Sequence, residues 1–427
     1  MHVYTEKSDP NPGNFGAGKY VAYACTMGPL AGSLDGVRTF IYHTFDGGSL
    51  DAYAPHLFLA GENHPFVPGT LKRLKKLGLK SENDPIFTAN CDSVPIINQY
   101  GDETFVNCSS ESVSLSPNIN AFTVPTLPQG GFSDIEYTMH KNNLAILMGV
   151  SETGGEEYPT YVGQGFGLAV SYRLYAELQK SQGLVNTTAI DGEACDANYA
   201  AGTCQPNINR QKYSSLVSAG NVTNKDGSLF GAAAGSVIKV ERRVGTSGTQ
   251  SASNAFFLNR PCATGDGGGE RSPAGSDYAG TLSYNGGKVL VTSHKSSSDV
   301  KKALANASAA SELAIGVLSL ENKPNHFNLV DGRYAYVKLN GVSPNTDAKQ
   351  RQTAIEGDYE FWYEIVGFVA APYTGNGHDL IGGIVSALGD PSLTDLTGLF
   401  VTRAAGMNGS NVSKGYKDGN ACSTAVQ

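Results

Sequence analysis

The sequence predicts an α/β protein of more than one lobe, and three observations lead there. From residue 166 onward, short apolar runs are followed by a polar turn and then by a helical pattern, which is the signature of strands laid parallel with helices packed on them. The chain has 427 residues, too many for one ordinary hydrophobic core. Hydrophobic residues make up 40% of it, enough to fill such cores.

The repeated unit is clearest in the middle third. Phe166–Ser171 reads as a strand and Tyr172–Gln182 as a helix with Leu174, Tyr175 and Leu178 on one face. Val237–Val240 is a strand that runs through a Gly/Thr/Ser turn into a helix across Ala252–Asn259. Val289–Thr292 is a strand and Ser296–Ser308 a helix, with Ser298 or Asp299 as its cap. Ala314–Leu320, Tyr334–Leu339 and Phe361–Val369 are further strands, Trp362 being a core residue of the last. Asp379–Leu388 and Ser392–Ala405 show helical patterns, and the Gly/Asn/Ser/Lys-rich tail from Gly406 to Gln427 is expected to be mobile except near Cys422. In the first third, Lys19–Cys25 and Arg38–Tyr42 are strand-like. Pro68–Lys80, with leucines at 71, 74, 77 and 79 among basic residues, predicts an amphipathic helix.

Composition narrows function. Net charge is −8 and no basic stripe is present, which argues against nucleic acid as a partner. No run approaches the roughly 18 apolar residues of a membrane span. The chain opens Met1-His2-Val3-Tyr4 without the charged and apolar regions of a signal peptide. The seven cysteines point instead to an oxidising compartment, because Cys91 and Cys108, and Cys195 and Cys204, bracket short polar loops. Disulfides Cys91–Cys108 and Cys195–Cys204 are therefore expected, inert free thiols being the other reading. No CxxC and no cysteine–histidine spacing suggests a metal, and no cofactor motif is present.

The sharpest chemical signal is Arg242-Arg243-Val244-Gly245-Thr246-Ser247-Gly248-Thr249-Gln250, which follows a strand and opens a helix. A helix N-terminus presents unpaired N–H groups and partial positive charge. Ser247 and Thr249 add hydroxyls, and Arg243 adds a guanidinium fork suited to an oxyanion. The segment reads either as an anion cradle or as a capped helix with a surface arginine. Asp46-Gly47-Gly48-Ser49 and Gly131-Phe132-Ser133-Asp134 are weaker candidates: the first is also an ordinary turn and the second an ordinary N-cap. Gly163-Gln164-Gly165-Phe166-Gly167 precedes its strand, the reverse of a dinucleotide fingerprint. No nucleophile–base pair stands out, so an enzyme is not expected.

Taken in order, these loops resemble the phosphate-binding branch of the periplasmic solute-binding proteins over about residues 15 to 370. The resemblance is carried by Arg243, Ser247, Gly248 and Thr249, by Ser133-Asp134, by Gly48 and Ser49, and by Ala314-Ile315-Gly316-Val317-Leu318-Ser319 as a crossover strand. It implies a two-lobed α/β fold, each lobe a mainly parallel sheet flanked by helices, joined by two crossover strands. Lobe one would be 1–162 plus 314–427 and lobe two 163–313. The implied ligand set is Gly48, Ser49, Ser133, Asp134, Arg243, Ser247, Gly248 and Thr249, closing on phosphate or a similar oxyanion. The implied role is an exported protein, periplasmic or secreted, that captures the anion in an interlobe cleft for an ABC permease or as a scavenger. Two departures stand out. Gly245 occupies the family's acidic position in the arginine loop, and the chain is expected to begin after the family's signal and first ligand loop. An exported structural or adhesive protein that keeps the fold without the ligand is the alternative.

Overall fold

A computed structural model describes residues 2–6, 20–44, 48–60, 70–74, 96–97, 104–114, 128–144, 154–184, 204–263, 269–273, 280–323, 334–371, 375–392, 396–402, 409–417 and 419–426. The chain forms two compact units. The first comprises residues 1–131, 152–156 and 368–384; the second comprises 132–151, 157–367 and 385–427. These limits fall at other places in the chain than the expected lobe limits.

The first unit is built on strands β1 (His2–Glu6), β2 (Tyr20–Thr26), β3 (Arg38–Thr44), β4 (Thr70–Leu74), β5 (Ile96–Ile97), β6 (Thr104–Cys108) and β7 (Ser110–Ser114). Five of them form a sheet in the order β3-β2-β1-β6-β5, with β1 and β6 parallel and the other neighbours antiparallel. Tyr20, Ala22 and Ala24 alternate into a small core with Leu74 and Cys108, as a strand's period of two requires. The helix expected over 68–80 is corrected where the residues are described. Residues 70–74 are a strand, paired antiparallel with β7 in the register Leu71 to Val113 and Leu74 to Ser110. Arg73 is held by Glu111 at 3.3 Å and lies over the Tyr42 ring. Cross-strand partners far away in sequence decided the conformation over a local periodicity that suited a helix.

The second unit carries the α/β pattern. From residue 130 onward the elements are β8 (Gly130–Ser133), α1 (Tyr137–Asn143), β9 (Gly155–Ser171), α2 (Tyr172–Ser181), β10 (Asn207–Ile208), α3 (Arg210–Val217), β11 (Ile238–Arg243), α4 (Gly248–Leu258), β12 (Thr281–Tyr284), β13 (Val289–His294), α5 (Ser297–Ala309), β14 (Leu313–Ser319), β15 (Tyr334–Tyr336), β16 (Lys338–Leu339), α6 (Gln352–Glu356), β17 (Trp362–Ala370), α7 (Asn376–Leu388) and β18 (Leu399–Val401), of which the start of β8, the start of β9, the end of β17 and residues 376–384 of α7 belong to the first unit. The sheet runs β12-β13-β11-β14-β9-β17. Its middle strands β13, β11 and β14 are parallel, and β12 and β9 add antiparallel neighbours at either side. All seven residues of β14 are buried, as in a strand covered on both faces. Gly316 is required there: a Cβ would stand 2.3 Å from the Glu241 carbonyl oxygen of β11.

Three smaller expectations are corrected. Ser296 caps α5, its hydroxyl accepting the Asp299 N–H at 3.1 Å while Asp299 Oδ2 accepts the Ser296 N–H at 3.2 Å. Ser298 therefore lies inside the helix, and Asp299 closes the capping box. The helix expected over 392–405 is corrected in its described part, 396–402, where Leu399–Val401 pairs antiparallel with Gln164–Val162 of β9. The tail is anchored in its described parts. Lys417 N–H and Gly419 N–H both donate to the Glu364 carboxylate, Ala421 N–H donates to Glu136, and Cys422 is disulfide-bonded to Cys262.

Candidate functional site

The strand order alone says where a ligand would lie. The chain leaves β11 towards β13 on one side, then returns across β11 to β14 on the other. In an open parallel sheet this reversal opens a crevice at the carboxyl ends of the two diverging strands. Here those ends are Arg243 of β11 and Ser319 of β14, with Glu321 just beyond. The N-termini of α4 and α5 follow the carboxyl ends of β11 and β13 at the same edge.

Helix α4 is buried at all eleven positions. Its N-cap is Ser247, in extended conformation, whose carbonyl receives the N–H groups of Gln250 and Ser251. The Ser247 hydroxyl makes no capping bond, and among the described residues the N–H groups of Gly248 and Thr249 meet no protein acceptor. Ser247 and Thr249 are buried. The turn Val244–Ser247 thus leaves two N–H groups and two hydroxyls at the positive end of the helix.

Arg243 and Arg242 point to opposite faces of β11, as neighbouring strand residues must. Arg242 is a brace, donating to Ser293 Oγ, Ser272 Oγ and the Pro273 carbonyl. Arg243 is only 9% exposed. One terminal nitrogen donates to Ser297 Oγ at 2.8 Å, in the first turn of α5, and the other to the Lys295 carbonyl at 2.9 Å. Its Nε is buried and, among the described residues, has no hydrogen-bond partner, an arrangement that costs free energy unless an acceptor is supplied. Burial pulls the guanidinium pKa down, while the charges of Asp134, Glu321 and Asp299 hold it up.

The Ser133-Asp134 pair stands where β8 ends. The Ser133 hydroxyl is fully used inside the turn: it donates to the Ile135 carbonyl at 2.5 Å, receives the Ile135 N–H at 3.3 Å and meets His140 Nε2 at 3.2 Å. Asp134 is half-buried, and its charge reaches both Arg243 and Glu321. Glu321 is solvent-exposed as a residue, but its carboxyl group sits among protein atoms and accepts the Ser319 hydroxyl at 2.7 Å. Desolvation raises its pKa and the Asp134 charge adds to the rise, with Lys301 opposing.

Six of the eight residues expected from sequence therefore fall in the second unit. Gly48 and Ser49 lie in the first, where Gly48 is the extended N-cap of a one-turn 3₁₀ helix, Ser49–Ala52. Asp46 and Gly47 lie outside the described residues. The sequence reading missed Ser297, Glu321, Asp299 and Lys301. Their signal was positional: each follows the end of a strand neighbouring β11, which becomes visible only once strand order is known. Cys108 and Cys204 are both disulfide-bonded. Cys91 and Cys195, and with them the expected pairings, lie outside the described residues; Cys25 is free.

Two other features do not compete for this role. A groove of about 730 Å³ opens at the amino ends of β11 and β14, but the ion pairs Arg173–Glu177 and Lys239–Glu312 occupy it. Among the described residues no group of three or more His, Cys, Asp or Glu side chains could hold a metal, and no helix is long and apolar enough to cross a membrane.

No protein-family model and no curated protein matches the chain. Among solved structures it is similar to a protein from Clostridium perfringens described as a phosphate ABC transporter substrate-binding protein with bound phosphate, at 14% identity and TM-score 0.32, over 60% of this chain and 72% of the other. It is also similar to an ABC-type phosphate transport receptor from Vibrio cholerae, at 12% identity and TM-score 0.31, over 56% and 69% of the two chains. At such TM-scores the likeness bears on neither ligand nor partner.

Proposed function

We propose that this chain is a solute-binding protein that captures an oxyanion, most simply phosphate, at the carboxyl edge of β11 and β14. One observation carries the reading: among the described residues, the buried Nε of Arg243 has no acceptor, beside a helix N-terminus whose first N–H groups have none either. A tetrahedral oxyanion supplies acceptors to all of them at once. The cluster also holds three carboxyl groups, Asp134, Asp299 and Glu321, against Arg243 and Lys301. A fully ionised dianion such as sulfate meets repulsion there, whereas phosphate near neutral pH keeps a proton to donate to a carboxylate. Export, a periplasmic or secreted setting and service to an ABC permease complete the proposal.

A second reading has its own observation. The terminal nitrogens of Arg243 and the Ser133 hydroxyl are already engaged by protein groups, as in an exported structural or adhesive protein that keeps the fold without a ligand. Thermal unfolding separates the two. A ligand at one hundred times its dissociation constant stabilises by about 2.7 kcal/mol. Phosphate should therefore raise the melting temperature at equal ionic strength, and no rise at millimolar phosphate favours the scaffold.

A further inference from the structure

We infer that His140 is a positioning residue for the anion site, bridging Ser133 of the β8 turn to Ser251 of α4 and so fixing Asp134 against the helix N-terminus. The inference rests on the proposed function above. His140 is fully buried, and each ring nitrogen has a hydroxyl partner: Nε2 lies 3.2 Å from Ser133 Oγ and Nδ1 lies 3.3 Å from Ser251 Oγ. The proton count sets the tautomer. Ser133 spends its only hydrogen on the Ile135 carbonyl, so Nε2 is the N–H donor to Ser133 Oγ. Nδ1 then accepts the Ser251 hydroxyl. This relay works only with a neutral ring, and burial keeps the imidazole pKa at about 3.

The two ends of the relay are the two halves of the site. Ser133 precedes Asp134 directly. Ser251 is one helical turn beyond Ser247, and its N–H is bonded to the Ser247 carbonyl. Further contacts to α1 from α4 and from the residues just after it reinforce the same spacing: Asn254 donates to Asn143 Oδ1 at 2.9 Å, and Arg260 donates to the Asn142 carbonyl at 3.1 Å. Those two lie further from the N-terminus of α4 than Ser251, so of these three contacts the one through His140 is nearest the anion cradle. Its effect should therefore appear in selectivity, which depends on where Asp134 stands, before it appears in global stability.

The test uses the full chain with His140→Phe, which keeps a buried ring and removes both bonds, and His140→Gln, whose amide offers one donor and one acceptor. Two readouts are taken. In amide hydrogen exchange, His140→Phe should speed exchange locally at Ile135 and at Gln250 and Ser251, and His140→Gln should restore part of the protection. In phosphate and sulfate titrations, His140→Phe should narrow the preference for phosphate by about ten-fold, the effect of one neutral hydrogen bond, with His140→Gln in between. Unchanged local exchange, or exchange accelerated uniformly through the second unit, overturns the positioning role whatever the anion result. If His140→Phe does not fold, Ser251→Ala cuts the same relay at its other end and is read in the same way. A parent protein that binds neither anion overturns the proposed function, and the exchange readout still decides whether His140 braces the turn. A parent that prefers phosphate while His140→Phe keeps that preference overturns the inference alone.

Discussion

At the scale of single residues, Arg243 is where burial and charge meet. Removing it takes away the cluster's buried guanidinium and leaves Asp134, Asp299 and Glu321 facing one another. Arg243→Ala should weaken phosphate binding by about 2–5 kcal/mol, the range for truncating one partner of a buried charged pair, measured by calorimetry. Glu321 carries a second prediction. Its carboxyl is held partly towards the neutral form by desolvation and by Asp134. Glu321→Gln should bring sulfate affinity closer to phosphate affinity, and an unchanged ratio in competition titration would remove Glu321 from the selectivity account. His56 in the first unit gives a third. It is fully buried, neither ring nitrogen has a hydrogen-bond partner among the described residues, and it packs on Phe368. Burial holds its pKa at about 4, below the ordinary 6.5. The folded state thus binds the proton less readily than the unfolded one, so its stabilising contribution is complete above 6.5 and is lost as pH falls towards 4. At pH 5 the loss is about 2 kcal/mol. His56→Phe should flatten the fall in stability between pH 7 and 5, and denaturant melts at both values would show it. At this scale the sequence was readable where a motif is contiguous, as in Ser247-Gly248-Thr249 after Arg243. Ser297 and Glu321 were invisible because only the sheet brings them to Arg243.

At the scale of elements, local pattern served well wherever strand and helix alternate. The segments around 166–182, 238–258 and 289–319 fold as their apolar spacing implied. It failed at β4 and β18, which are short strands whose partners come from distant parts of the chain, because a few residues of pattern cannot outweigh cross-strand pairing. The C-terminal strap is the other surprise. Its polar composition suggested mobility, yet Lys417 is buried over the rings of Trp362 and Tyr363 and donates to the Trp362 carbonyl. Two glutamates accept its backbone N–H groups. The Cys262–Cys422 bond closes a loop of 160 residues, worth up to about 5 kcal/mol on a chain-entropy account. Reduction, or Cys262→Ser with Cys422→Ser, should lower the stability of the second unit by a few kcal/mol. Equal urea midpoints with and without reductant would show that the glutamate and aromatic contacts hold the strap unaided.

At the scale of the molecule, the α/β class was legible because it follows from an alternation repeated several times, while the order of strands was not. That order sets the carboxyl ends of β11 and β14 side by side, where an open α/β sheet characteristically receives a ligand. Gly316 guards this arrangement, since any side chain there would drive β14 from β11. The central claim, an oxyanion held on Arg243 and the α4 N-terminus, is tested most directly by titration calorimetry of phosphate into the parent protein and into Arg243→Ala, with sulfate as the competing anion. The account predicts a phosphate heat that sulfate does not abolish and that Arg243→Ala loses. Equal binding of both anions, no binding of either, or phosphate binding untouched by Arg243→Ala would contradict it.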